Sequence, residues 1–212
     1  MEVPVAHYSS PHNAHLEVVL HRGRYKLITD GAIYSFGDLY SNYRKIFERL
    51  NWQAYPYNSC LVLGPGMASI PDMLVSKFRR QMEFSAVEID EVVAMLAYTY
   101  VLAPKHIHVQ VFTSDAASFL EWHEDRYDMI CSDVFVGDAI PDELETIDAL
   151  EAMRNMLNPN GVVLYNRLAR GVEDEAKNLK FRDEAFLRVF PEGGYYDVGG
   201  NWMFVSSMAP FS

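Results

Sequence analysis

A glycine-containing loop and a distant acid have the residue types and the spacing that bind an adenosine. The loop consists of Gly64, Pro65 and Gly66. Glu88 stands 24 positions after Gly64, where a second strand is expected to end. Glycine lets the backbone approach a ligand, and a carboxylate at a strand end accepts hydrogen bonds from two ribose hydroxyls. The third glycine of the dinucleotide fingerprint is absent, since Ala68 or Ser69 stands near its place, which disfavours NAD and leaves other adenosine ligands open. An ordinary strand, turn and helix with a surface acid is the alternative.

Two more acids follow strand-like runs further along the chain. Asp115 can accept the exocyclic amine of adenine while the backbone N–H of Ala116 meets a ring nitrogen; its alternative role is to cap a helix. Asp133 can hold an incoming amine or take its proton as the amine attacks, and its alternative role is to cap a loop. In a doubly wound sheet, ligands bind beyond the carboxyl ends of the strands. The glycine loop and the three acids therefore predict one site at four consecutive strand ends.

Strand and helix patterns alternate from residue 60 onward, which predicts an α/β fold. Apolar runs at 60–63, 83–88, 107–112, 127–132 and 161–166 are separated by helical segments at about 67–80, 90–102, 115–123 and 142–156, with a turn at 159–161. A helix at 173–189 then leads to strands near 194–198 and 201–207, with only Gly199 and Gly200 between them. Near-continuous apolar strands indicate a mostly parallel sheet covered on both faces. The prediction is a Rossmann-like, seven-stranded sheet closed by an antiparallel hairpin.

The first 50 residues are predicted to form a separate unit. Residues 1–15 have no apolar period, which suggests a loose or edge-hugging arm. Runs at 16–20 and 25–29 predict a β-hairpin, a further strand follows at 32–36, and apolar residues at helical spacing predict an amphipathic helix at 38–50. We therefore divide the chain into a β-hairpin appendage with its linking helix, residues 1–50, and a cofactor-binding Rossmann-like domain, residues 51–212.

The composition limits the partners. The 212 residues carry a formal net charge of −11 without a basic stripe, which argues against nucleic acid and mildly favours a cationic or neutral small substrate. No apolar run approaches a membrane span and the start lacks a signal pattern, so a soluble, cytoplasmic protein without membrane contact is expected. Cys60 and Cys131 lie in apolar runs and are expected to be buried hydrophobes. The histidines lack partners at ligand spacing, so no metal site is expected.

Five segments carry a resemblance to a known family, and they span residues 64–66, 87–90, 113–116, 127–133 and 157–161. Together they resemble the spermidine synthase family within the class I S-adenosylmethionine (SAM)-dependent methyltransferase superfamily. With the preceding β-hairpin, the likeness covers roughly residues 16–207. It implies a SAM-type cofactor, either SAM or decarboxylated SAM, with Glu88 on the ribose, Ile89 beside it, and Asp115 and Ala116 at the adenine. Asp133 then stands at the position of the family's catalytic aspartate.

The chain departs from the family where a polyamine and the aminopropyl amine would be held. Met67 stands where the family has an aspartate directly after its glycines, and Val136 stands where it has a second acid. Phe36 and Gly37 align with a Tyr-His pair, and Leu27 aligns with a glutamine. A buried ammonium that lacks one of these charged partners is bound more weakly by about 1.5–3 kcal/mol, which disfavours ordinary polyamine synthesis.

The leading hypothesis is an enzyme that transfers the methyl group of SAM to a small-molecule acceptor, which Asp133 orients or deprotonates. The first alternative keeps the family chemistry, aminopropyl transfer from decarboxylated SAM to an amine. The second alternative is a non-catalytic homologue with a nucleoside pocket. Five residues could line an acceptor pocket or simply pack in the core: Tyr8, Tyr34, Tyr40, Tyr165 and Asn166. A homodimer formed through the hairpin appendage is a further expectation.

Overall fold

A computed structural model describes residues 2–29, 32–35 and 41–211, and of 32–35 the backbone alone. The N-terminal sheet has four antiparallel strands in sequence order. They are β1 Glu2–Tyr8, β2 Leu16–His21, β3 Arg24–Thr29 and β4 Ala32–Ser35. The predicted hairpin is confirmed as β2 and β3, and residues 2–8 of the predicted arm form an edge strand paired with β2. Residue 36 of the predicted strand and residues 38–40 of the predicted helix lie outside the described residues.

The main sheet has seven strands in the order β10-β11-β9-β8-β5-β6-β7. They are β5 Ser59–Leu63, β6 Glu83–Glu88, β7 Val109–Thr113, β8 Tyr127–Ser132, β9 Leu157–Ala169, β10 Gly194–Asp197 and β11 Gly200–Val205. Strands β5 to β9 pair in parallel, and β11 pairs antiparallel with both β9 and β10. The predicted fold is therefore confirmed. The strand order reverses between β5 and β8, which is where a doubly wound sheet opens its ligand crevice.

Strand β9 is longer than predicted. We expected a turn at 159–161 before a strand at 161–166, but β9 runs over the 13 residues Leu157–Ala169. Its pairing with β8 jumps from Tyr127 opposite Leu157 to Met129 opposite Val162. The residues between form a bulge in which Asn160 has a φ of 64°. The Asn-Pro-Asn-Gly sequence thus bends this strand and does not end it.

Asp90, Asp115 and Thr146 each precede a helix and cap it with their side chains. The helices are α1 Ser41–Phe47, α2 Ser69–Ser76, α3 Glu91–Ala97, α4 Ala116–Trp122, α5 Ile147–Asn155, α6 Val172–Phe181 and α7 Leu187–Val189. Helix α5 begins five residues later than the predicted 142, because Thr146 accepts a hydrogen bond from the N–H of Ala149 at 3.1 Å and so caps it. The predicted helices at 90–102 and 173–189 continue past α3 and α6 as the π-helical turns Tyr98–Leu102 and Arg182–Phe186.

Apolar side chains cover both faces of the main sheet. Helices α1 and α2 pack on the face that carries Cys60 and Cys131, whereas α4, α5 and α6 pack on the opposite face. Both cysteines are free and buried as predicted, with 4.0 Å between their sulfur atoms. Because α1 belongs to this core, the linking helix is anchored in the main sheet, and the domain boundary after residue 50 stays a prediction. No helix among the described ranges is long and apolar enough to cross a membrane.

A third apolar group joins the N-terminal sheet to the glycine loop and α3. This Met67 cluster comprises Leu16, Val18, Leu27, Met67, Val93, Leu96 and Val101. Met67 is 1% exposed and Leu27 is fully buried. At two positions where the resembled family carries polar groups, this chain therefore carries apolar side chains that hold the two sheets together. Because Met67 directly follows Gly66, the Met67 cluster also supports the loop that carries Gly64 and Gly66.

Replacing Met67 by aspartate is expected to destabilise the protein strongly. A carboxylate at this 1% exposed position would stand within the apolar Met67 cluster, and burying it costs about 3 kcal/mol or more, in lost stability or in forced protonation. The matched control is Met95→Asp on α3, because Met95 is 45% exposed and surface changes cost about 0.5 kcal/mol. Urea unfolding at pH 8 measures the free energy of unfolding of both variants. Equal stability of the two variants would show that Met67 does not fasten the sheets.

Candidate functional site

Glycine is required at position 64 because two strand ends meet there. Gly64 has a φ of 74°, and its N–H donates to the carbonyl of Val87 at 3.0 Å. A Cβ atom on Gly64 would lie 2.7 Å from the carbonyl oxygen of Asp133. Gly66 and Ala68 also have positive φ, 50° and 57°. The loop therefore turns tightly out of β5 and passes close to the backbone at the end of β8.

Substituting Gly64 by alanine is expected to lower the stability by about 2–4 kcal/mol, since strained φ and a steric clash add. Gly23→Ala is a matched control, because Gly23 has a φ of 77° and a Cβ atom there would have no neighbour within 4 Å among the described residues. The control should lose only about 1 kcal/mol from the left-handed conformation. Chemical denaturation of both variants checks this. Similar losses would contradict the close approach of β5 and β8.

Glu88 is a buried carboxylate with an unused oxygen. Its exposed fraction is 3%, one oxygen accepts the N–H of Asp90 at 3.1 Å, and the other has no hydrogen-bond partner within the described part of the chain. Burial raises the pKa of Glu88 to about 7, opposed by the nearby N–H groups of Asp90, Gly66 and Ile89, of which only that of Asp90 is within hydrogen-bond geometry. Neighbouring Ile89 is 42% exposed. A carboxylate beside a glycine loop with one oxygen unpaired fits the two hydroxyls of a ribose.

The N-terminal arm is attached beside this carboxylate through Asp90. Asp90 caps α3 by accepting from the N–H of Val92 at 2.9 Å, and its second oxygen accepts from Ser10 and, at 2.7 Å, from Asn13. Burial is the largest influence and acts to raise its pKa, but these hydrogen bonds together lower the pKa of Asp90 below its ordinary value. Sequence reasoning missed this contact, because Ser10 and Asn13 lie in a segment without a periodic pattern.

Asp115 stands at the next strand end and caps the helix that follows. Its carboxylate accepts from the N–H of Ser118 at 2.8 Å, so the capping role is present in the structure. Asp115 is exposed and Ala116 is 6% exposed. The N–H of Ser114 donates to the carbonyl of Glu88 at 3.2 Å, which places the ends of β7 and β6 side by side. Contact of Asp115 and Ala116 with an adenine stays a prediction.

Asp133 is partly buried at the end of β8 and is held from two sides. Its N–H donates to the carbonyl of Leu63 at 2.9 Å, and its carboxylate accepts from the amide of Asn166 at 2.8 Å. Hydrogen bonds therefore connect the four neighbouring strand ends in the order β7, β6, β5 and β8. The structure thus places the loop, Glu88, Asp115 and Asp133 along the side of the sheet where these parallel strands end. The catalytic role of Asp133 stays a prediction.

Of the residues proposed for an acceptor pocket, the structure separates Tyr165 from Asn166. Tyr165 is fully buried and its hydroxyl donates to the carbonyl of Leu144 at 3.1 Å, so it packs in the core. Asn166, in contrast, contacts Asp133. Val136 is 73% exposed on the loop after Asp133. Phe36, Gly37 and Tyr40, with the side chain of Tyr34, lie outside the described residues. No group of three His, Cys, Asp or Glu side chains in the described ranges could hold a metal ion.

Comparison with known proteins gives two aminopropyltransferases among curated relatives. The probable polyamine aminopropyl transferase of Bifidobacterium longum is 31% identical over 109 residues, 51% of this chain and 24% of that protein. The polyamine aminopropyltransferase of Vibrio vulnificus is 28% identical over 144 residues, 61% of this chain and 48% of that protein. The chain thus spans about a quarter of the length of the Bifidobacterium longum protein and about half of the length of the Vibrio vulnificus protein. No protein-family model matches the chain.

Solved structures with the same fold include a probable spermidine synthase from Corynebacterium glutamicum. It superposes with a TM-score of 0.77 and 17% identity over 97% of this chain and 81% of that one. A spermidine synthase in complex with the transition state analogue AdoDATO superposes with a TM-score of 0.70 and 14% identity, over 95% of this chain and 72% of that one. Human methyltransferase-like protein 13 in complex with SAH superposes with a TM-score of 0.56 and 20% identity, over 80% of this chain and 77% of that one. The class is thus the Rossmann-like methyltransferase fold. Within that class, the resemblance to spermidine synthase-like proteins is confirmed.

The prediction of methyl transfer as the main reaction is wrong by these comparisons. Both curated relatives above are named as aminopropyltransferases, and the spermidine synthase structures superpose better than the methyltransferase structure does. An N-terminal histidine N-methyltransferase from Emericella nidulans also matches, at 32% identity, but over only 20% of its length. The glycine loop and ribose acid are common to both chemistries, so the sequence motif could not distinguish them. The alternative, aminopropyl transfer, is better supported.

Proposed function

We propose that this protein transfers an aminopropyl group from decarboxylated SAM to a small amine. The observation that carries the proposal is Glu88, a 3% exposed carboxylate with an unpaired oxygen next to a glycine loop. Such a group costs stability unless a ligand satisfies it. The names of the aminopropyltransferase relatives support aminopropyl transfer, for which the resembled family's donor, decarboxylated SAM, is the nucleoside proposed at this site.

The residues at the four strand ends would have different roles in binding and reaction. The backbone of the glycine loop and Glu88 would hold the ribose, while Ile89, Asp115 and Ala116 would contact the adenine. The bound nucleoside would supply a sulfonium, and the aminopropyl carbon bonded to its sulfur is electrophilic. Asp133 would accept a hydrogen bond from the acceptor amine, orient its lone pair toward that carbon, and take the proton released as the new C–N bond forms and the C–S bond breaks. The other product is then methylthioadenosine.

The acceptor pocket differs from that of the resembled family. Met67 lies in the core and Val136 carries no charge, so neither adds a carboxylate beside Asp133. The net charge of −11 still attracts a cationic amine to the protein. We therefore propose an acceptor with one reactive amine held mainly by Asp133. Association into a homodimer and a cytoplasmic location belong to the same proposal.

A turnover assay with two nucleosides tests the function. The purified protein is incubated with decarboxylated SAM or SAM and a panel of mono-, di- and polyamines, and the released methylthioadenosine or S-adenosylhomocysteine is separated by chromatography. We expect methylthioadenosine from decarboxylated SAM with at least one amine, and loss of that product in Asp133→Asn. Transfer from SAM alone would contradict the proposal. Nucleoside binding without turnover of any amine would show a non-catalytic homologue.

A further inference from the structure

We propose that Asn166 and Asn201 are positioning residues that fix the orientation of the Asp133 carboxylate. This inference rests on the proposed function and names residues that act through Asp133. The amide nitrogen of Asn201 donates to the amide oxygen of Asn166 at 3.0 Å, and the amide nitrogen of Asn166 donates to Asp133 at 2.8 Å. The three side chains form one directed series of hydrogen bonds, from the sheet's antiparallel end to the candidate catalytic group.

Both asparagines are buried where the sheet otherwise carries apolar side chains. Asn166 is 1% exposed and Asn201 is 8% exposed. On the same face, the neighbouring positions of β9 and β11 are Leu164 and Met203, which belong to the apolar core. An amide here is more costly to bury than leucine or methionine, so its hydrogen bonds have to offset that cost. The arrangement is therefore explained better by the carboxylate it contacts than by core packing.

The direction of the series matters because an amide has a donor end and an acceptor end. Asn201 donates to the oxygen of Asn166, which turns the NH₂ group of Asn166 toward Asp133. A flipped Asn166 would place its oxygen against the carboxylate and repel it. Asn201 thus selects one amide orientation, and that orientation sets the rotation of the Asp133 carboxylate about its final bond.

Helix α1 anchors both ends of the series. At the outer end, Lys45 donates to the carbonyl of Val198 at 2.5 Å and so holds the β10–β11 turn that precedes Asn201. At the inner end, the Tyr43 hydroxyl donates to the carbonyl of Ser132 at 2.9 Å, one residue before Asp133. The carboxylate therefore receives its orientation from a rigid frame, which is what a positioned acid or base requires.

Leucine substitutions at the two asparagines test the inference. Asn166→Leu should lower kcat about 100-fold and Asn201→Leu about tenfold, because a hydrogen bond to a charged group is removed directly or loosened. The dissociation constant for methylthioadenosine should stay within about twofold, since the nucleoside contacts lie on β5, β6 and β7. The matched control is Asn158→Leu, which removes a 2.9 Å hydrogen bond to Asp128 near the opposite end of β8 and should leave kcat unchanged.

Carbon-13 NMR of aspartate carboxyl groups decides the question without turnover. The Asp133 signal, assigned from its absence in Asp133→Asn, should shift at pH 8 in Asn166→Leu and Asn201→Leu but stay in place in Asn158→Leu. An unshifted signal, a kcat equal to that of the unsubstituted protein, or equal losses in kcat and nucleoside affinity would overturn the inference. No turnover in the unsubstituted protein would overturn the proposed function instead, and the carboxyl signal would then decide the inference by itself.

Discussion

Replacing Glu88 by glutamine should weaken nucleoside binding about 100-fold while making the protein more stable. Two charge-assisted hydrogen bonds from ribose hydroxyls would be replaced by neutral ones, and the difference of about 1–1.5 kcal/mol each amounts to about 100-fold in all. The free protein, by contrast, is relieved of a carboxylate that is buried with one oxygen unpaired. Calorimetric titration with methylthioadenosine and urea unfolding, both at pH 8, measure the two effects. Glu83→Gln at the exposed opposite end of β6 is the control and should change neither.

The stability gain should depend on pH in a defined window. The pKa of Glu88 is raised from 4.5 to about 7 in the folded state, so ionisation destabilises the fold as pH rises from 4.5 through 7. Above that window Glu88→Gln should be about 1–3 kcal/mol more stable than the unsubstituted protein, and below pH 4.5 the difference should vanish. A stability difference that is constant from pH 4.5 to 8 would contradict the buried, unsatisfied state of Glu88.

Nucleoside affinity should fall in acid for the same reason. In the proposed site, ribose hydroxyls would donate to the ionised carboxylate, so binding would favour the form present above the pKa of about 7. Affinity for methylthioadenosine should therefore drop about tenfold between pH 8 and pH 6. Glu88→Gln should bind weakly at both values. Equal affinity of the unsubstituted protein at pH 6 and pH 8 would remove Glu88 from the ribose site.

Asp133→Asn should remove turnover and leave nucleoside binding intact. The asparagine can still accept a hydrogen bond from Asn166 but cannot take a proton, and loss of a general base costs about 10²–10⁴-fold in kcat. The dissociation constant for methylthioadenosine should change by less than about twofold, because in the proposed site Asp133 would contact the acceptor amine and not the ribose. Asp138→Asn is the control, since the Asp138 side chain is 67% exposed on the following loop. Retained turnover in Asp133→Asn would exclude it as the base.

Local sequence patterns could predict the frame of the site. Alternating apolar runs and helical periods predicted the strands, and the residues that follow each strand end located Gly64, Glu88 and Asp133. The positions of these ends along one edge follow from the parallel fold itself. The sequence therefore predicts this group of residues, although its contacts with a ligand stay predictions.

Contacts between distant parts of the chain could not be predicted in this way. Ser10 and Asn13 reach Asp90 across 80 and 77 residues, and Asn201 reaches Asn166 across 35. No local period marks such pairs, because each residue is polar in a segment where polar residues are unremarkable. The unpaired oxygen of Glu88 was equally hidden, since burial depends on the arm and on α3 packing beside it. The bulge in β9 escaped prediction because Asn-Pro-Asn-Gly is also a common turn sequence.

Calorimetric titration of the unsubstituted protein with methylthioadenosine at pH 8 tests the central claim most directly. We predict saturable binding of one nucleoside per chain with a dissociation constant between about 1 µM and 1 mM, and binding about 100-fold weaker in Glu88→Gln. Absence of heat with methylthioadenosine, decarboxylated SAM and SAM alike, or unchanged binding in Glu88→Gln, would contradict a nucleoside site at these strand ends.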